Sequence, residues 1–281
     1  MKKTSFASWL FLVLVLLFMY LPIVVVVVYS FNANSSRIPI AFTGWTTRWY
    51  RQLFSGRGGF GEALLLSLRI ALWSVGLSVI IGTLGAVGMG QRTAHGRCGW
   101  FDHIMENLVT LPIMIPEIIL GLCLMVMFNA AGIKSNDFRL VLAHTTFCIP
   151  YVFLNVKSRL VGMDAALFDA ARDLGATPAR VVRDITLPLC RPAIISGAFL
   201  ALAMSLDDFV ISFFVYGAGE GTLPIKIYSS VKVGVSPQVN ALCTLIMGAV
   251  FIIVAVSRYV TALRDARLKR AEQAVLRRKD A

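Results

Sequence analysis

Six runs of apolar residues, each long enough to cross a bilayer, dictate what this chain can fold into. They cover about residues 9–31, 63–90, 104–131, 139–162, 190–216 and 239–263. Apolar residues make up 57% of 281 positions and the mean hydropathy is +0.75, more than a soluble domain of this length can cover. A bilayer core offers no water to free backbone groups, so each run is expected to close its hydrogen bonds internally as a helix. The expected fold class is an all-α integral membrane protein with six transmembrane helices.

The basic residues give an orientation. Eighteen of the 27 fall on one side: Lys2, Lys3, Arg92, Arg97, six from Lys157 to Arg191 and eight from Arg258 to Lys279. Eight fall on the other, and Arg69 lies within or near the second run. The positive-inside rule then places both termini and the segment between the fourth and fifth runs in the cytoplasm. The net charge of +12 is thus mainly a topology signal; no nucleic-acid-binding motif accompanies it. The basic tail, 261–281, is expected to face anionic membrane lipid. The first run is too long for a signal-peptide core and no Ala-x-Ala site follows it, so a retained span is expected. Cys98, Cys123, Cys148, Cys190 and Cys243 show no close pair and no metal-ligand spacing, so neither a disulfide nor a metal site is expected. In the outer segment after the first run, Trp45, Trp49 and Tyr50 suit an interfacial aromatic belt.

One compact polar stretch, 164–188, interrupts the apolar pattern. Asp164 can cap a helix through Leu174, and Gly175 suits the left-handed residue that ends it. Thr177 followed by Pro178 is an N-cap with proline at the first helical position, and the second helix is expected to stop before Pro188. Leu167, Ala171 and Leu174 fall on one face, an apolar stripe suited to docking. A second short helix is expected from Leu223, with Ile227 and Val231 on one face and Gly234 closing it.

Acids inside the runs need a reason, because each carboxylate near a bilayer centre costs roughly 2.5–3.5 kcal/mol. Asp207 and Asp208 lie in the fifth run. Gly197, Ala201, Ser205, Asp208 and Ser212 recur at helical spacing, a small polar stripe that faces either a neighbouring helix or water. Glu117 follows Pro112 and Pro116, where two prolines invite a kink. These acids either pair with a base such as Arg69 or line a passage for a cation, since an acidic low-dielectric passage opposes anions. Asp102 and Glu106 sit closer to the cytoplasmic end and are expected to meet water or headgroups. An ion-gradient-driven secondary transporter buries acids in the same way and stays open as an alternative.

The stretch Asp169-Ala170-Ala171, three residues, Gly175, nine residues, Ile185-x-Leu187-Pro188 resembles the EAA loop of ATP-binding-cassette import permeases, with aspartate for the glutamate. Ser205-Leu-Asp-Asp-Phe-Val-Ile-Ser212, Leu223-Pro-Ile-Lys-Ile-Tyr228 and Gly234-Val-Ser-Pro-Gln-Val-Asn-Ala-Leu242 resemble a permease subunit of bacterial polyamine importers, those for putrescine above all. The resemblance implies the type I (MetI-like) importer fold, with an N-terminal helix and outer segment (1–61), a transport core (62–260) and the basic tail. It implies that the loop couples to two copies of a partner ATPase, which bind ATP and Mg. A second, related permease and a periplasmic polyamine-binding protein complete the system, in a bacterial inner membrane. Consistent with that division, the chain has no Gly-x-x-x-x-Gly-Lys-Ser/Thr motif, so no P-loop of its own. His95, His103 and His144 are scattered and suggest no metal or catalytic grouping.

Overall fold

A computed structural model describes residues 6–34, 41–56, 58–94, 99–217 and 221–279, with the side chains of 6, 7, 91–94, 257 and 260–279 outside the description. Cys98, residues 218–220 of the outer turn and the charges at Lys2, Lys3, Arg37, Arg57 and Arg97 also lie outside the described residues. The order is α1 (Phe6–Tyr29), α2 (Arg48–Phe54), α3 (Phe60–Ala94), α4 (Trp100–Met114), α5 (Glu117–Ala130), α6 (Asn136–Val161) and α7 (Ala165–Asp173). Then come α8 (Pro178–Arg180), a π-helical turn (Val181–Thr186), α9 (Leu187–Asp207), α10 (Val210–Tyr216), α11 (Leu223–Lys232) and α12 (Pro237–Lys279).

Among the described residues five helices are long and apolar enough to cross a membrane, and α4 with α5 makes a sixth span if the bent pair is counted as one. That pair corrects the third expected run: it is two helices meeting at 106°. Pro116 has no N–H to continue the ladder and drives the residue before it out of the helical region, and Ile115 is extended at ψ 131°. Pro112, by contrast, is accommodated inside α4.

Contacts divide the chain into two compact units, Gly59–Tyr228 and Met1–Gly58 with Ser229–Ala281. In the first, α6 is the axis: it packs on α3, α4, α9 and α10. Its spanning window is 56% buried within the chain, against 0% for Ser8–Tyr29, which marks α6 as core and leaves α1 little covered by its own chain. Membrane helices gain little from apolar burial against each other, so close approach matters. Ser74 and Ser78 of α3 donate to the Val141 and Thr145 carbonyls of α6. One turn on, a Cβ at Gly82 would lie 3.0 Å from Val152 Cβ and 3.1 Å from the Ile149 carbonyl oxygen. Gly88 meets nothing within 4 Å, so the α3 glycines do not form a single packed face.

In the second unit α12 packs on α1 and α2, so the sixth run keeps company with the first. The segment after α1 is a small polar knot. Asn32 is fully buried, accepts from the Asn34 and Thr43 amides and donates to the Ala41 carbonyl. Trp49 Nε1–H donates to the Asn32 carbonyl at 2.7 Å, and Tyr50 OH bonds Ser30 Oγ. Trp49 and Tyr50 are therefore bracing residues rather than belt residues, while Trp45 stays 72% exposed.

Gly82→Val should lower the thermal unfolding midpoint of the detergent-solubilised chain by the equivalent of about 1–3 kcal/mol, because the neighbouring atoms include backbone. Gly76→Ala, where an added Cβ meets nothing, should not lower the midpoint in the same scan, since alanine favours a helix interior over glycine.

Candidate functional site

Two helix breaks meet at one cavity. One is the α4–α5 bend at Pro116; the other separates α9 from α10. The fifth run was expected to be one continuous helix carrying Asp208 on a stripe, but α9 ends at Asp207 and Asp208 has ψ 117°. The cause is the Asp208 carboxylate. It accepts from the Ile211 amide at 3.2 Å, the Ser212 amide at 2.8 Å and the Ser212 hydroxyl at 2.7 Å. A short acidic side chain thus supplies the partners that the free amides of α10 would otherwise lack, and it suits their positive helix end.

The cavity, about 170 Å³, is lined by Glu117, Asp207, Asp208, Phe147, Tyr151 and Phe209, together with Pro112, Ile113, Ile115, Leu120, Met204, Val210 and Ile211. At a water's share of about 30 Å³ it has room for several waters or one small ligand. Three of its lining residues are acidic and none is basic, a field that attracts cations, and the aromatic faces add to it. The structure thus brings Glu117, Asp207 and Asp208 to one place.

The three acids differ in environment. The Asp208 side chain is 6% exposed and committed to α10 and to His144, whose Nε2 lies 3.4 Å away. Asp207 and Glu117 are exposed and lie in no ion pair among the described residues. Arg69, a conceivable partner for them, instead pairs with Asp137 of α6. The Ser205–Ser212 stripe faces protein rather than water: Gly197, Ala201, Ser205 and Ser212 are buried, and a Cβ on Gly197 would sit 3.0 Å from the Val152 Cα. Glu106 pairs with Lys157, and buried Asp102 accepts from the Gly99 amide at the start of α4, so neither simply meets water. His144 was missed from sequence; its signal was a lone histidine in an apolar helix, which pattern alone cannot tell from packing.

The 164–188 segment is the second feature. Asp164 Oδ1 accepts from the Ala166 amide, Gly175 has φ +83°, and Thr177 Oγ1 accepts from the Arg180 amide, as the caps predicted. Two expectations fail. The second helix does not stop before Pro188: α8, the π-helical turn and α9 run on without interruption. The Leu187 amide bonds the Val182 carbonyl five residues back, and this wider winding gives the Pro188 ring room where an α-helical turn would clash. The apolar stripe also splits. Phe168, Ala171 and Val181 form a small buried cluster, with Ile185 against it, whereas Leu167 is 43% and Leu174 89% exposed. Asp169, Ala170, Gly175 and Pro188 are exposed, and Leu187 is half-buried.

Comparison with known proteins places this geometry. The model of the binding-protein-dependent transport system inner membrane component matches residues 82–270, which span the hairpin and every residue lining the cavity. The chain belongs to that family. It is therefore a multi-pass inner-membrane component of a transport system. It is 41% identical over 82% of its length, and 82% of the relative's, to the Escherichia coli K12 putrescine transport system permease protein PotI. It is 38% identical to the spermidine/putrescine transport system permease protein PotC of the same organism, over 81% of this chain and 84% of that one. Its fold matches a chain of the inward-facing MetNI methionine ABC transporter with a TM-score of 0.57 at 21% identity, over 77% of this chain and 98% of the other. The all-α importer-permease fold expected from the sequence is the observed one.

Asp208→Asn should lower the unfolding midpoint of this family member by the equivalent of about 1–3 kcal/mol, since charge-assisted bonds to buried groups are lost. Asp207→Asn should change it by less than about 0.5 kcal/mol, as expected for an exposed side chain.

Proposed function

We propose that this chain is a permease subunit of an ATP-driven polyamine importer and that its principal cargo is putrescine. The observation that carries this reading is the cavity walled by three carboxylates, with no basic lining residue, in a chain closely similar to putrescine permeases. Putrescine is a small dication with apolar methylenes between two ammonium groups. Carboxylates suit its ends, and Phe147, Tyr151 and Phe209 suit the methylenes and the charge. Asp207 and Glu117 are the working counter-charges, because Asp208 is already committed. Binding there is weak by design, since a translocated cargo must leave.

The chain is a transport subunit with no ATPase of its own. Two copies of an ATP-binding-cassette ATPase, with their ATP and Mg, a second related permease and a periplasmic polyamine-binding protein complete the importer. Both termini and the 164–188 hairpin face the cytoplasm. The hairpin receives the ATPase stroke: Asp169, Ala170 and the Leu174–Gly175 tip are its exposed contact surface, and Ala171 with Ile185 fixes its shape. Because α8 continues through the π-helical turn into α9, a push on the hairpin reaches Asp207 along one helical rod. The rod passes Leu187 and Pro188 and ends at the cavity.

The test is putrescine uptake into proteoliposomes holding the whole importer and its binding protein. Neutralising Glu117→Gln and Asp207→Asn together should raise the KM about tenfold or more, equivalent to about 1.4 kcal/mol or more. An unchanged KM overturns the cavity assignment. Gly175→Val should nearly abolish uptake while the complex still assembles, because a β-branched residue cannot hold φ +83° cheaply. Uptake that persists without the ATPase and collapses with a protonophore would support an ion-gradient carrier instead.

A further inference from the structure

We propose that His144 is a positioning residue: its imidazole clamps the α9–α10 break from α6 and so holds the cavity wall that carries Asp207 in place. The proposal rests on the cavity being the cation site.

His144 is 1% exposed and does not line the cavity; Phe147, one turn along α6, stands there and packs against its ring at 5.2 Å. Nδ1 lies 2.7 Å from Ser205 Oγ, in the last turn of α9. Nε2 lies 2.9 Å from Ser212 Oγ, in the first turn of α10. One side chain therefore bridges both sides of the break.

The Ser212 hydroxyl donates to Asp208 Oδ2, so its oxygen is left to accept from His144 Nε2–H. Nδ1 and the Ser205 hydroxyl form the other bond, so Ser205, His144, Ser212 and Asp208 make one hydrogen-bonded chain across the break.

Ser205 stands before the break and Ser212 after it, so a ring anchored on α6 and bonded to both ties the two half-helices to one axis.

The test compares variants in the reconstituted importer with its ATPase, second permease and binding protein, reading putrescine KM and maximal rate separately. His144→Leu keeps the bulk but no hydrogen bond, and should raise KM about tenfold beyond any fall in maximal rate. His144→Gln carries one donor and one acceptor at similar reach and should return KM to within about threefold of the starting protein. A KM unchanged in His144→Leu, or no better in His144→Gln than in His144→Leu, overturns the proposal. Should His144→Leu fail to assemble, Ser205→Ala and Ser212→Ala decide: each should raise KM about threefold, and no change in both overturns it. If neutralising Glu117 and Asp207 also leaves KM unchanged, the cavity reading itself has failed. If that pair raises KM while the His144 and serine variants do not, only the clamp has failed.

Discussion

A backbone amide without a partner is among the costliest things to place in a membrane protein, and this fold turns on how Asp208 answers for two of them. Its carboxylate takes the Ile211 and Ser212 amides and the Ser212 hydroxyl, which lets the fifth span break without leaving those donors unpaired. The proline break at Ile115–Pro116 lies against the same space. Two interrupted helices side by side leave a gap that two straight ones would fill. A Cβ on Gly121 of α5 would lie 3.3 Å from Ile211 Cα of α10, so the half-helices beyond the breaks are packed on each other closely.

From that arrangement follows a division of labour among acids that look alike in sequence. Asp208 holds the backbone, and Asp207 and Glu117 remain open to the cavity. Asp102 and Glu106 serve structure, one at the start of α4 and the other in an ion pair from α4 to α6. Adjacent residues in a chain can therefore do unrelated work, because one lies at the end of a helix and the next lies in the turn that follows.

What could be read from the sequence was whatever local chemistry decides. The caps at Asp164 and Thr177, the left-handed Gly175, the short helix from Leu223 and the spans of α1, α3, α6 and α12 are set by residues close in the chain, and they appear as expected. The bend beside Glu117 was legible because Pro116 announces it, although Pro112 leaves α4 unbroken. Three features were not legible. The break at Asp208 depends on a carboxylate choosing amides three and four residues ahead over solvent. The passage through Pro188 depends on a π-helical turn that no propensity predicts. The splitting of the Leu167–Ala171–Leu174 stripe depends on Phe168 and Val181 finding each other across the hairpin. His144 belongs with these, since its meaning lies in two serines more than sixty residues away.

The central claim, that the cavity between the two breaks holds the cargo, is tested most directly by imaging. The whole importer would be trapped with putrescine and an ATPase unable to hydrolyse, and its structure determined by cryo-electron microscopy. Elongated density is expected between Glu117 and Asp207, absent from a sample prepared without putrescine. An empty cavity with putrescine density elsewhere along the permease pair would contradict it.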